Sequence, residues 1–388
     1  MVTGKKPSKS NKEFYGDYAQ FLKPTDISEF CKFTYKTEEM FSRLAADKFG
    51  SSLIPKGAIC IPCIGTIGTK MTMSHCDCYT NQSINSIICK ENYDNEYVYY
   101  LMKNFLPNLK SYNLGTASGR EFISKSNFEK IEIVAEQNKN IQKEIGKFLS
   151  RYDSLIENYQ KQIKLLEESA QRLYKEWFID LRFPGHENTK IVDGVPEGWD
   201  KKNVAEVGDV ITGKTPSKVN NANFGCDIPF ITIPDMHNGI YPTNSQYLSK
   251  FGADSQSRKY IPANSLIVSC IGTAGLVCIT KELCQTNQQI NSLILKDGSL
   301  LYYMYFLFLS LKEHLENIGS NGATMTNVNK SKFESIEIII PNKVLTNNFH
   351  TKVKDNFSKI LRLYNQISLL TEARDRLLPR LMNGEIEV

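Results

Sequence analysis

The residues with the most suggestive chemistry are GDVITGKT, Gly208 to Thr215, which fit G-x-x-x-x-G-K-[ST] with Gly208, Gly213, Lys214 and Thr215 in place. In a nucleotide hydrolase this pattern is a strand, a glycine loop and a helix that opens on the Lys-Thr pair, where backbone N–H groups cradle phosphates. Pro216 follows Thr215 at once and biases it away from helical geometry. A second suggestion comes from Cys60, Cys63, Cys76 and Cys78, which are close enough in sequence to tempt a zinc reading. C-x-C is a poor zinc half-site, and Cys60 and Cys63 lie in a strand-like run. Reduced packing cysteines of a cytosolic protein explain them more simply. No N-P-P-[YF] or D-P-P-[YF] amino-methylation motif is found, nor a nuclease-like set of paired carboxylates and lysine, and there are only five histidines.

The elements that must position these residues occur twice. VTGKKPSK at Val2 to Lys9 matches ITGKTPSK at Ile211 to Lys218, and IPKGAICIPCIGTIG from Ile54 matches IPANSLIVSCIGTAG from Ile261. TNQSINSII from Thr80 matches TNQQINSLI from Thr286, and KSNFEKIEI from Lys125 matches KSKFESIEI from Lys330. QIKLLEESAQRL from Gln162 matches QISLLTEARDRL from Gln366, so the offset drifts only from 209 (2 to 211) to 204 (162 to 366). The chain is a tandem duplication. The duplication also bears on both motifs. Cys60 corresponds to Ile267, so the thiol set is not repeated, and the first copy of the Gly-Lys segment has Lys6 where a phosphate loop needs a hydroxyl.

Each copy reads as a mixed domain with β-rich runs such as AICIPCIG, SLIVSCIG, IEIVA and IEIII, and an apolar helical segment, YVYYLMKNFLPNL or LLYYMYFLFLSL. Each then ends in a long helix. In the first, apolar residues recur in steps of three and four from Ile141 through Phe148, Leu155 and Leu166 to Trp177. In the second they run from Phe349 through Val353, Tyr364 and Ala373 to Leu377, with Pro379 and Gly384 marking the end. Helices of about 40 residues extend about 60 Å at about 1.5 Å per residue. The expected fold is α+β: two similar mixed domains, separated by two long antiparallel helices that pack as a coiled coil, with a pseudo-twofold internal repeat. The expected boundaries are 1–134 for the first domain, 135–180 for the first helix, 181–340 for the second domain and 341–384 for the second helix.

The 388 residues, 41% of them hydrophobic, are enough for two or three cores. The balance of 47 Lys+Arg against 42 Asp+Glu is mildly basic, which suits a nucleic-acid binder without requiring one. The longest apolar run, Leu300 to Leu311, is too short to span a bilayer as a helix, so a cytoplasmic protein without a membrane partner is expected. Two similar, non-identical domains held at a fixed separation suit the reading of two short, different DNA elements, by the half-site logic of dimeric DNA-binding proteins.

Along its whole length the sequence resembles the specificity subunits of type I restriction-modification systems. The resemblance is carried by the duplicated G-K-x-P-S segments, VPEGW at Val195 to Trp199, IGTIG and IGTAG, the TNQ segments and the LLEESAQRL and LLTEARDRL helix endings. It implies a non-catalytic chain, with no cofactor of its own, whose two target recognition domains read a split asymmetric site in double-stranded DNA. The helices then serve as spacer and as docking surface for two methylation subunits, which bring S-adenosylmethionine. Two restriction subunits add ATP- and magnesium-dependent translocation and cleavage. One departure stands out: the second copy is preceded by VPEGWDKKNVAEVGDV, and the first has no equivalent. Either the start is a shortened one or the first domain is completed differently.

Affinity for DNA comes from lysines on phosphates and specificity from side chains that reach base edges. Lys5, Lys9, Lys214 and Lys218 are the phosphate candidates; a solvated loop is the alternative. Base readers are expected where the copies differ, in GTASGREF at Gly115 to Phe122 and GSNGATMTNV at Gly319 to Val328. There Arg120 suits guanine, and Asn321 and Asn327 suit adenine. Trp177 and Phe178, at the end of the first helix, are candidates for partner docking, with core packing as the default. Two further readings remain: a nucleotide hydrolase built on residues 208–215, and a coiled-coil adaptor without a DNA role.

Overall fold

A computed structural model describes all residues except Lys9, Thr66, Leu114, 116–120, Asn238, 321–325 and Val388. The chain divides into two compact units, Met1–Lys161 with Tyr364–Val388, and Gln162–Leu363. Two continuous long helices, α1 (Lys139–Tyr174) and α2 (Lys343–Met382), each supply residues to both units. The last turn of the first helix widens into π geometry over Lys175–Ile179.

Both units are built on the same pair of sheets. In the first, Val2–Thr3, Ile84–Ile87, Ile59–Pro62 and Thr72–Met73 form an antiparallel sheet in that spatial order, and Glu39–Phe41, Tyr15–Leu22 and Cys78–Thr80 form a mixed one. In the second, Gly208–Thr212, Ile290–Leu295, Leu266–Ser269 and Val277–Ile279 repeat the antiparallel order, and Tyr247–Leu248, Phe224–Ile231 and Gln285–Thr286 repeat the mixed one. Strands buried on both faces, such as Ile59–Pro62 and Leu266–Ser269, explain why these runs are almost continuously apolar. The apolar segments are helices, Asn95–Phe105 and Leu301–Ser310, and they fill the cores.

Among the described residues the second unit carries two further two-stranded sheets: Ile191–Val192 pairs with Val195–Pro196, and Asp200–Asn203 pairs with Glu337–Ile340. The matching run of the first unit, IEIVA at Ile131 to Ala135, is not a strand. Strand propensity was present in this segment, but without a partner strand its backbone has no ladder to join. Ile131, Ile133 and Ala135 pack instead against the core that also receives Leu377, Leu378, Leu381, Met382 and Ile386, so residues from the far end of the chain complete the first unit.

The apolar seam of α1 departs from the expected stripe at several positions. Ile145, Leu149, Ile156, Ile163, Ala170, Tyr174 and Trp177 are buried, whereas Ile141 and Leu155 are exposed. Leu149, Ile156, Ile163, Ala170 and Trp177 are seven apart, the spacing of a coiled-coil seam. In α2 the seam likewise takes Leu363 and Leu378. The neighbours run antiparallel within each unit: Ile145 and Leu149 share a core with Leu381 and Leu378, and the Trp177 ring lies 6.1 Å from that of Phe349. Helix α2 continues past Pro379 and ends at Met382. Burial of Leu378 and Leu381 holds this last turn, and Gly384, at φ +70°, ends it.

Candidate nucleic-acid interface

The repeated Gly-Lys segment is not a phosphate cradle. Gly208–Thr212 is itself a sheet strand, the chain leaves it at Gly213, and no helix opens at Lys214–Thr215, which removes the donors a nucleotide would need. Thr215 Oγ donates to Gln288 Oε1 at 2.6 Å, and the Lys214 carbonyl accepts from Gln256 Nε2 at 2.9 Å. Gly213 is required because its backbone lies against the carbonyl and hydroxyl of Thr286, where a Cβ would collide; Gly4 meets Thr80 in the same way. The preceding threonines are matched as well: Thr3 Oγ donates to Asn85 Oδ1 at 2.8 Å and Thr212 Oγ to Asn291 Oδ1 at 2.6 Å. The repetition of T-G-K, T-N-Q and I-N is thus one joint made twice.

Around this joint, loops from distant parts of each half meet at one edge. The T-N-Q turns are closed by Asn81 Oδ1, which accepts from Ser83 N at 3.0 Å, and Asn287 Oδ1, which accepts from Gln289 N at 3.1 Å. Their next backbone groups tie in the IGT loops, with Cys63 N on Ser83 O and Cys270 N on Gln289 O, both at 2.8 Å. These loops hold the ends of the variable segments: Gly65 N bonds Glu121 O at 3.0 Å and Ile123 N bonds Cys63 O at 3.0 Å. In the second copy Gly272 N bonds Thr326 O at 3.1 Å and Val328 N bonds Cys270 O at 2.9 Å. The edge is therefore a fixed backbone frame that presents exchangeable side chains.

On this edge Lys5, Gln82, Lys214, Gln288 and Asn327 are exposed, and Lys218 is exposed further along the same loop. Lys5, Lys6, Pro7, Ser8, Phe49 and Gln82 line an open groove in the first unit. Asn327 bridges Ile271, at the position that Phe122 takes against Ile64 in the first unit. Lys9, Arg120 and Asn321 lie outside the described residues.

Two sets of residues escaped the sequence reading. Gln256, which anchors Lys214, is followed by exposed Arg258 and by Lys259, whose Nζ donates to Thr212 O at 2.9 Å. Arg258 corresponds to Ser51 of the first copy, so this charge is present in only one half. Lys110 and Lys312 flank the IGT loops, with their side-chain stems against Gly68 and Gly275. Both lysines are exposed. Their offset of 202 (110 to 312) departs from that of the surrounding blocks, so alignment of the copies missed them; the Leu-Lys pairs at Leu109-Lys110 and Leu311-Lys312 were the available signal.

Trp177 and Phe178 are not surface residues. They are 5% and 7% exposed, and their rings pack on Phe349, Trp199 and Tyr303, so the docking candidacy is replaced by a core role. The most exposed leucines of α1 and α2 are Leu165 and Leu369, each 65% accessible and equivalent under the offset of 204 (165 to 369). The thiols Cys63 and Cys270 sit in the strand ends behind the edge, where burial pushes them up to about 11 and about 12, so both are protonated at neutral pH. No grouping of His, Cys, Asp and Glu suited to a metal occurs among the described residues, and no described helix is long and apolar enough to cross a membrane.

The family model for the type I restriction modification DNA specificity domain matches twice, over residues 1–168 and 196–369. A HindI specificity subunit from Haemophilus influenzae is 48% identical over 198 residues, which are 50% of this chain and 42% of that protein. The MjaIX specificity subunit of Methanocaldococcus jannaschii is 28% identical over 100% of this chain and 91% of its own length. The crystal structure of a type I restriction-modification S subunit from M. genitalium shares the fold, with a TM-score of 0.55 at 16% identity over 98% of this chain and 99% of that one. With two matched copies covering most of its length, the frame described above is that of a specificity domain used twice, and the chain belongs to the type I restriction-modification DNA specificity family.

Proposed function

We propose that the chain is the DNA-reading, non-catalytic subunit of a type I restriction-modification complex, in which each unit recognises one half of a split asymmetric site. The observation that carries this reading is the repeated edge: one backbone frame, made twice, bears different side chains at equivalent places, Arg258 against Ser51 and Asn327 against Phe122. Shared frames suit shared work on the phosphate backbone, and differing side chains suit different bases. Lys5, Lys9, Lys214 and Lys218, joined by Lys110 and Lys312, meet phosphates. Asn327, with Arg120 and Asn321 on the chemistry of their side chains, reads base edges, and Arg258 is added to that group.

The long helices set the distance between half-sites and dock two methylation subunits that carry S-adenosylmethionine; two restriction subunits complete the complex with ATP and magnesium. Leu165 and Leu369 are the docking residues of choice, because two equivalent exposed leucines match two copies of one partner. Co-expression with a cognate methylation subunit, followed by sequencing that detects N6-methyladenine, is the test. The expected product is a methylated motif in two parts with an unread gap. A continuous motif overturns the reading, and DNA binding that is absent or insensitive to salt favours the adaptor alternative.

A further inference from the structure

The helix pairing differs between the two units in one respect that the repeat makes legible. In the first unit Asp153 of α1 forms a buried ion pair with Arg374 of α2, and Tyr100 Oη donates to the other carboxylate oxygen at 2.5 Å. Asp153 is 7% and Arg374 6% exposed. Arg374 also donates from Nε to Asp375 at 2.8 Å, and Lys103 lies in the same charged neighbourhood.

Under the offset of 204, Asp153 corresponds to Phe357 and Arg374 to Ala170 (153 to 357, 170 to 374). Tyr100 corresponds to Phe306, a placement fixed three residues earlier by Tyr97 and Tyr303, which both bond the backbone that leads into a long helix. The second unit is apolar at this place. Phe357 and Ala170 are fully buried, and Phe357 packs among Tyr302, Tyr305 and Phe306 at 4.1, 5.9 and 6.0 Å. Ala170 and Leu173 line one groove with Val353 and Asn356, beside Phe357.

Asp153 of α1 meets Arg374 of α2 directly, and by the repeat Ala170 of α1 takes toward Phe357 of α2 the place that Arg374 takes toward Asp153, so each unit sets a small residue of α1 against a large residue of α2. The two halves of the chain have different sets. The first carries Asp153 and Ala170, both small; the second carries Phe357 and Arg374, both large. A first half paired with its own copy would place Asp153 opposite Ala170, leaving a void and a buried carboxylate whose Oδ1 has lost its cation. A second half paired with its own copy would press Phe357 on Arg374, overfilling the seam and burying a guanidinium without Asp153.

We propose that Asp153, Arg374, Ala170 and Phe357 form a pairing code that admits only the heterologous combination, first half with second half, and excludes both self-pairings. The code keeps two unlike recognition units on one spacer. It holds whatever the two edges bind.

The test uses the full chain, purified folded, with a protease site inserted in the exposed Glu187–Asn188 turn. The nicked protein is dissociated in urea, diluted and weighed by native mass spectrometry. The expected species is the one-to-one complex of the two pieces, with either self-pair at least about a hundredfold rarer, the scale of an unpaired buried charge. Self-pairs of unmodified pieces in comparable amount overturn the proposal. With Asp153→Phe and Tyr100→Phe, which copy the apolar unit, the first piece is expected to pair with itself; its failure to do so also counts against the code. Independently of that variant, a first piece carrying Asp153→Arg should reject the unmodified second piece and accept one carrying Arg374→Asp. Equal acceptance of both overturns the proposal.

Discussion

At the scale of single residues, two predictions follow from exposure and charge. Lys214 and Lys312 are exposed cations on a backbone-fixed edge. Replacing either by alanine should weaken binding to all duplexes alike and lower the slope of log K against log salt by about 1, because one phosphate contact releases about one counterion. Titration of binding against salt checks this, and a change in sequence preference would argue against a phosphate role. Glu167, on α1 in the second unit, has its carboxyl pushed up to about 7 by burial and by neighbouring Glu168. Its ordinary value is 4.5, so the native state holds a proton between about 4.5 and about 7 that the unfolded chain releases. The contribution to stability is full below the ordinary value and lost as pH rises through about 7. Glu167→Gln should match the parent in a urea melt near pH 4.5 and exceed it at pH 8.

At the scale of elements, the ion pair of Asp153 and Arg374 and the exposed leucines make opposite predictions. Arg374→Leu strands Asp153 in the core of the first unit and should cost about 3–5 kcal/mol in urea unfolding. Adding Asp153→Leu should recover most of that loss, since an apolar pair of similar shape is often as stable as a buried ion pair. Leu165→Asp and Leu369→Asp, by contrast, should leave unfolding unchanged and each remove one methylation subunit from the complex, as measured by native mass. The periodicity of α1 and α2 was visible in the sequence, but their seams were not, because apolar neighbours at 148 and 149 or 155 and 156 serve two stripes equally well. Burial decided for Leu149 and Ile156, whose seam includes Asp153, a residue no apolar pattern would select.

At the scale of the whole molecule, transfer of residues 181–340 from a relative with different specificity should change one part of the methylated motif and leave the other part and the gap intact. Sequencing of methylated DNA checks it; a change in both parts argues against independent reading. The sequence alone determined the duplication, the strand-rich cores, the two long helices and the shared Gly-Lys, T-N-Q and IGT joints, because these rest on local pattern and on identity between copies. It could not determine which loops meet at an edge, so Arg258, Lys110 and Lys312 emerged only when chain segments far apart in sequence were brought together. Nor could it show that Trp177 and Phe178 are covered, or that the first unit is completed by residues from the far end of the chain. Those outcomes depend on long-range packing, in which a side chain's neighbours are chosen by the fold.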